Sequence, residues 1–240
     1  MTAAMPLHEL ASVGPFFALR TDEDELAGAG GYLPLGEDAV RLRVETVGRR
    51  LGTEDVRIAA SVAFQGITGR LLSIALGSAT LTGCLLNLTT LRWHPLLTAP
   101  EDLWLPGAPM LPPAPDPVAQ ITATVLDAHL VPLYDLMRDV VPISPRLMWG
   151  NAGSSLAGAL RVLHAWCREQ GRQDDATYAV TLTRALFTHP LLADTGVLRV
   201  DAAGTPSFAR DTCCLYYRVP TGAGMCGDCV LRHPPRSRQH

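Results

Sequence analysis

The stretch TEDVRIAASVAFQGITGRLLSIALGSATLTGCLLNLTTL, residues 53–91, decides the fold. From Val56, apolar residues recur at helical spacing through Ala59, Ala63, Ile67, Leu71 and Ile74. Thr53 reads as the N-cap, with Glu54 and Asp55 in a first turn where the helix dipole favours carboxylates. Between Arg70 and Arg92 lie twenty-one uncharged residues, a length that suits a membrane span. Ser73, Gly77, Ser78, Thr80, Thr82, Gly83, Asn87, Thr89 and Thr90 dilute them. The expectation is therefore the end of a buried helix, a Gly-rich turn and a strand, and not a span.

The chain outside this stretch has the composition of a folded protein with a generous core: 48% of its 240 residues are hydrophobic and 18% charged. A chain of this length needs neither disulfides nor a metal merely to fold. The formal charge of -3 gives no footprint for nucleic acid. All twenty basic residues are arginine, so a lysine Schiff base and a Walker lysine are excluded. Residues 1–19 lack a basic start, apolar core and small-residue cleavage site, and no secretory signal is expected.

Four parts are expected along the chain. Residues 1–105 form an N-terminal mixed half, with a loop marked by Asp22 to Glu25 and by Gly28, Gly30 and Gly31, and short extended pieces from Leu85 to Leu105. Residues 106–117 hold Pro109, Pro112, Pro113 and Pro115 and read as a polyproline linker. Residues 118–232 form a helical half. Asp116–Pro117 and Ser144–Pro145 open its helices as cap and first residue, Pro132 breaks or kinks the first, and Gly171 stops the second. A third helix spans about 175–188, and a hairpin turns around Ala203–Gly204. Residues 233–240 read as a disordered tail. The fold class is α+β, predominantly helical, with a small number of antiparallel strands and a C-terminal cysteine loop.

That loop carries the chemistry. Cys213, Cys214, Cys226 and Cys229, four of six cysteines, fall within seventeen residues. Such thiol density makes a ligand set for zinc or an iron–sulfur cluster. A disulfide framework is disfavoured. No secretory signal is present, and the Cα atoms of Cys213 and Cys214 lie about 3.8 Å apart, below the roughly 4.4 Å at which disulfide spans begin. Zinc sites usually supply two Cys-x-x-Cys hooks, whereas here only Cys226 and Cys229 form one. An adjacent pair is tolerated better by a wider two-iron cluster, so spacing favours the cluster and leaves zinc open. Cys84 and Cys167 sit among apolar residues and read as core thiols.

The segment resembles the C-terminal signature of the FhuF-type siderophore-iron reductases: an adjacent Cys pair, a gap, then Cys-x-x-Cys. The likeness includes Arg210, Thr212, Leu215 and Tyr216 around the first pair and Gly227 and Asp228 around the second. It extends to Trp149-Gly150-Asn151 with the run to Arg161, and weakly to residues 65–72. The gap from Leu215 to Met225 is eleven residues, one longer than the family's ten. The resemblance implies a [2Fe–2S] cluster on Cys213, Cys214, Cys226 and Cys229, a cytoplasmic location, and one-electron reduction of a ferric siderophore, of hydroxamate type, to release Fe(II).

No other constellation competes. Gly222 to Gly227 matches G-x-G-x-x-G literally, but no βαβ unit follows, so electrons are expected from an external ferredoxin or flavoprotein. The histidines are scattered, and Ser154 lies in no nucleophile elbow. Trp149 and Asn151 offer a flat apolar wall and a polar contact for a siderophore, and Arg146, Arg161 and Arg218 offer cations for its oxygens. Peripheral association with the inner membrane is left open. The rival functions are a non-catalytic iron–sulfur carrier or sensor and a zinc-stabilised binding protein.

Overall fold

The computed structural model describes residues 7–21, 30–220 and 224–231. It is 57% helical with two antiparallel sheets of two strands each. The loop expected at Asp22 to Gly28 and the tail at 233–240 lie outside the described residues.

The stretch that opened the sequence analysis becomes α3, Val56–Thr82. Asp55, not Thr53, is its N-cap: the carboxylate accepts from the Arg57 N–H at 3.0 Å, while the Thr53 hydroxyl accepts from the Asp55 N–H. A carboxylate placed at the positive end of the dipole is the stronger cap. Gly83, at φ 69°, ends the helix by donating to the Ala79 carbonyl. A 3-10 turn, Leu88–Thr90, then leads into β1, Arg92–Trp93, which pairs with β2, Leu103–Trp104. By length and composition α3 could cross a membrane, yet 83% of its most apolar window is buried inside the fold. Its small residues let neighbouring helices approach from every side.

Those neighbours are α2 (Glu37–Leu51), α6 (Pro145–Glu169) and α7 (Gln173–Leu186), with α6 the most extensive partner. Buried residues from both sides of the Pro-rich stretch, such as Leu72 and Leu76 with Leu156 and Leu160, belong to one core. The stretch itself is pinned along 85–87: Asn87 N–H donates to the Pro109 carbonyl and Leu111 N–H to that of Leu85, at 2.8 and 2.7 Å. It closes a shared core rather than spacing two bodies.

Residues 117–140 run as α4 (Pro117–Ile121), a π-helical stretch (Thr122–Leu130) and α5 (Val131–Val140). The wide turns, with Val131 N–H reaching the Leu126 carbonyl, accommodate Pro132, which lacks an N–H and crowds the preceding turn. Asp116 caps Ala119 N–H, as expected.

Two features position the site. Arg70, buried in α3, pairs with Asp102 at 2.8 Å and donates to the Pro15 and Ala18 carbonyls. It thereby fixes residues 15–18, which follow α1 (Leu7–Val13), across the face of α3. After the short α8, Pro190–Ala193, the expected hairpin forms from β3, Gly196–Val200, and β4, Pro206–Arg210. The Asp201 carboxylate accepts from Ala203 and Thr205 N–H at its turn. β4 then delivers Arg210 and the cysteine segment onto α6.

Candidate metal centre

The cysteine segment is seated by hydrogen bonds that converge on Arg210. This side chain is 1% exposed. Its Nε donates to the Thr212 carbonyl and its Nη2 to the Asn151 Oδ1. Asn151, fully buried in α6, donates to the Ser61 carbonyl and hydroxyl of α3, both at 2.9 Å. The Ser61 hydroxyl donates in turn to the Cys214 carbonyl at 2.6 Å. The Arg210 backbone N–H reaches the Asp228 carbonyl, so one residue ties the adjacent cysteine pair to the Cys226–Cys229 hook.

Asp228, inside that hook, is 7% exposed. It accepts from the Ser154 hydroxyl at 2.6 Å and from Arg161 at 2.8 and 3.3 Å. The hook is thus clamped to α6. Close seating of the first pair needs Gly150, since a Cβ there would stand 2.1 Å from Thr212 Oγ1.

Cys214 is buried and Cys213, Cys226 and Cys229 are partly so. The Sγ atoms of Cys214 and Cys226 are 3.4 Å apart, which joins the two motifs. Two of the sulfurs accept from the backbone N–H two residues on, Cys213 from Leu215 at 3.3 Å and Cys229 from Leu231 at 3.4 Å; the N–H groups of Tyr216 and Asp228 favour the thiolates of Cys214 and Cys226. Leu215 adopts φ 66°, an uncommon left-handed conformation for a branched residue, and the chain reverses there directly after the pair.

Electrostatics follow. The hydrogen bond shared with Cys226 brings Cys214 down to about 7, while the same bond and burial push Cys226 up. Burial raises Cys213. Arg210 favours the thiolate form of Cys213, Cys214 and Cys226 alike. Cys167, fully buried in α6, is pushed by burial to about 11, as suits a core thiol.

This donor set fits a cluster. Four thiols lie in one segment, two of them meeting at 3.4 Å; two accept backbone N–H bonds of the kind that stabilise sulfur ligands, and a buried guanidinium favours the thiolate form of three. Arg210 has no carboxylate partner, and its Nη1 no hydrogen-bond partner, among the described residues. Also among these residues, no three His, Cys, Asp or Glu side chains are spaced to hold a metal ion.

A groove of about 640 Å³ abuts the thiols, and Cys214, Cys226, Gly227 and Asp228 form part of its wall. One side is a face of α3, where Val62, Gln65, Gly66, Gly69 and Ser73 follow helical spacing. The facing side is α6, through Ser154, Ser155, Gly158 and Val162, and Pro15, Phe16 and Phe17 close a third. Among the described residues, Arg161 and Asp228 are the only charged ones lining it, and they pair with each other.

The site is that of an iron–sulfur protein. Residues 210–231 match the family model described as the FhuF 2Fe-2S C-terminal domain, so the chain resembles the FhuF type and its cofactor is a [2Fe–2S] cluster; Cys213, Cys214, Cys226 and Cys229 are the residues that would hold it. No curated protein and no solved structure matches the chain.

Of the five residues the sequence offers for a siderophore, Arg161 lines this groove and Trp149, Asn151, Arg146 and Arg218 lie outside it. Trp149 packs on Tyr134 with ring centroids 5.4 Å apart. Asn151 is wholly engaged in the network above. Arg146 is exposed and only its carbonyl meets the segment, accepting from Thr212. Arg218 is exposed, 3.7 Å from Asp55. None of the four lines the groove. Besides the cysteines, the sequence singles out Arg161, Tyr216, Gly227, Asp228 and, weakly, residues 65–72 of its lining; the rest was signalled only by small residues at helical spacing.

Proposed function

We propose that the protein is a ferric-siderophore reductase, binding a neutral ferric hydroxamate in the groove and reducing it by one electron in the cytoplasm. The supporting observation is the shared wall: Cys214 and Cys226 line the groove directly, so a chelate lying there is next to the cluster. When bound, the cluster supplies electrons one at a time, replenished by a separate ferredoxin or flavoprotein donor. Phe16, Phe17, Val62 and Val162 offer an apolar bed, and Gly66, Gly69 and Gly158 leave the space open. The volume falls within the usual range of about 300–1,000 Å³ for small-molecule sites.

The paired Arg161 and Asp228 leave the lining without net charge. A neutral chelate avoids the repulsion that a multiply anionic one meets beside thiolate ligands. Hydroxamate oxygens are hard donors that hold ferric iron better than ferrous, so gain of one electron by Fe(III) releases Fe(II) and leaves the chelator intact. No residue need transfer a proton. A minimal electron carrier has no use for such a groove.

The test is single turnover. Reduced, cluster-loaded protein is mixed anaerobically with a ferric trishydroxamate and a ferrous-specific chelator. One Fe(II) per cluster is expected. Binding without Fe(II), or neither, overturns the proposal.

A further inference from the structure

We propose that Arg210 sets the cluster's reduction potential, acting as its buried counter-cation and holding it more positive than the four thiolates alone would. The proposal requires only that the cysteines hold the cluster, whatever the cluster reduces.

Arg210 has three properties that distinguish it from a structural arginine. It is 1% exposed, so water screens its charge little. Among the described residues it has no carboxylate partner; its side-chain hydrogen bonds go to the neutral oxygens of Thr212 and Asn151. Its Nη1 has no partner there at all. The contrast within the same protein is Arg70, equally buried but matched by Asp102 at 2.8 Å. A buried charge without compensation is strongly unfavourable, as removing one partner of a buried pair is. The compensation open to Arg210 is the cysteine site its own backbone and side chain bind together through Asp228 and Thr212.

A [2Fe–2S] core on four thiolates is anionic, and accepting one electron from a low-potential donor makes it one charge more negative. A fixed cation in a low-dielectric setting stabilises the reduced state more than the oxidised one, and net charge and sulfur hydrogen bonding are the levers that set such potentials. Arg210 is thus a positioning and tuning residue; it does not touch substrate.

The experiment is a redox titration of loaded protein with dithionite, followed by visible absorption and by the spin signal of the reduced cluster. Arg210→Gln keeps polar reach but removes charge, and its midpoint should move negative. Arg210→Lys restores charge and should recover most of the shift. Equal midpoints for wild type and Arg210→Gln, both loaded, overturn the proposal. Should Arg210→Gln not hold the cluster, Asn151→Asp decides, because it leaves Arg210 in place and sets a carboxylate against its Nη2. A negative shift in that variant supports the proposal, and an unchanged midpoint overturns it. If Arg210→Lys alone remains loaded, Arg210 is a structural cation and the proposal is equally overturned.

Discussion

Thr212 rests on Gly150 so closely that a Cβ on the glycine would stand 2.1 Å from the threonine hydroxyl oxygen. The residue before the first cluster cysteine is therefore seated against the second turn of α6, and the absent side chain sets how deep the segment lies. Gly150→Ala should push the Cys213–Cys214 pair off its bed, at the 1–3 kcal/mol typical of about one inserted methyl in a packed site. Iron content per chain should fall and the melting temperature should drop. Full iron occupancy with wild-type melting would show that the segment shifts without cost.

Asp228 should matter through its grip on Ser154 and Arg161. Asp228→Ala removes charge-assisted hydrogen bonds worth roughly 1.5–3 kcal/mol each when well shielded, less here because Arg161 is 37% exposed. The Cys226–Cys229 hook should loosen. The expected result is faster decay of the visible spectrum in air, with Asp228→Asn intermediate between the alanine variant and wild type.

Ser substitutions should divide the six cysteines in two. At Cys213, Cys214, Cys226 or Cys229 they should abolish or alter a content of two irons and two acid-labile sulfides. At Cys84 or Cys167 they should leave it intact. In native protein stripped of its cluster, an alkylating agent near neutral pH should spare Cys167, which is buried and held as a thiol up to about 11. Stoichiometric zinc in a colourless protein would contradict the cluster.

Much of this was legible beforehand, and the limits are physical. The helix from Val56 and a glycine turn after it, the hairpin around Ala203–Gly204 and the four cysteines follow from local rules of periodicity, capping and ligand spacing, though Gly77 gave no sign that the helix would run on to Thr82. Asp55 displaced Thr53 as the cap because two neighbouring residues could each serve and only the folded geometry chooses. The Trp149-Gly150-Asn151 motif announces close approach but not what approaches. The sequence offers it to a substrate; in the fold Gly150 meets Thr212 and Asn151 meets Arg210. The groove was hidden because its walls come from residues 14–17, 62–73 and 154–162. That the three sets share one wall shows only once α3 and α6 cross.

Gly66 offers the most direct test of the central claim, that the chelate is reduced in the groove beside Cys214 and Cys226. A Cβ on Gly66 would meet nothing within 4 Å, so Gly66→Ala should be tolerated and even favour the helix by up to about 1 kcal/mol. Gly66→Phe should instead fill the space. The measurement is the single-turnover rate of ferric trishydroxamate reduction by the loaded, reduced Gly66→Phe protein, with ferricyanide as a small oxidant that needs no groove. The account predicts an unchanged cluster spectrum, an unchanged ferricyanide rate and at least a tenfold slower chelate rate. A chelate rate equal to that of wild type would contradict it.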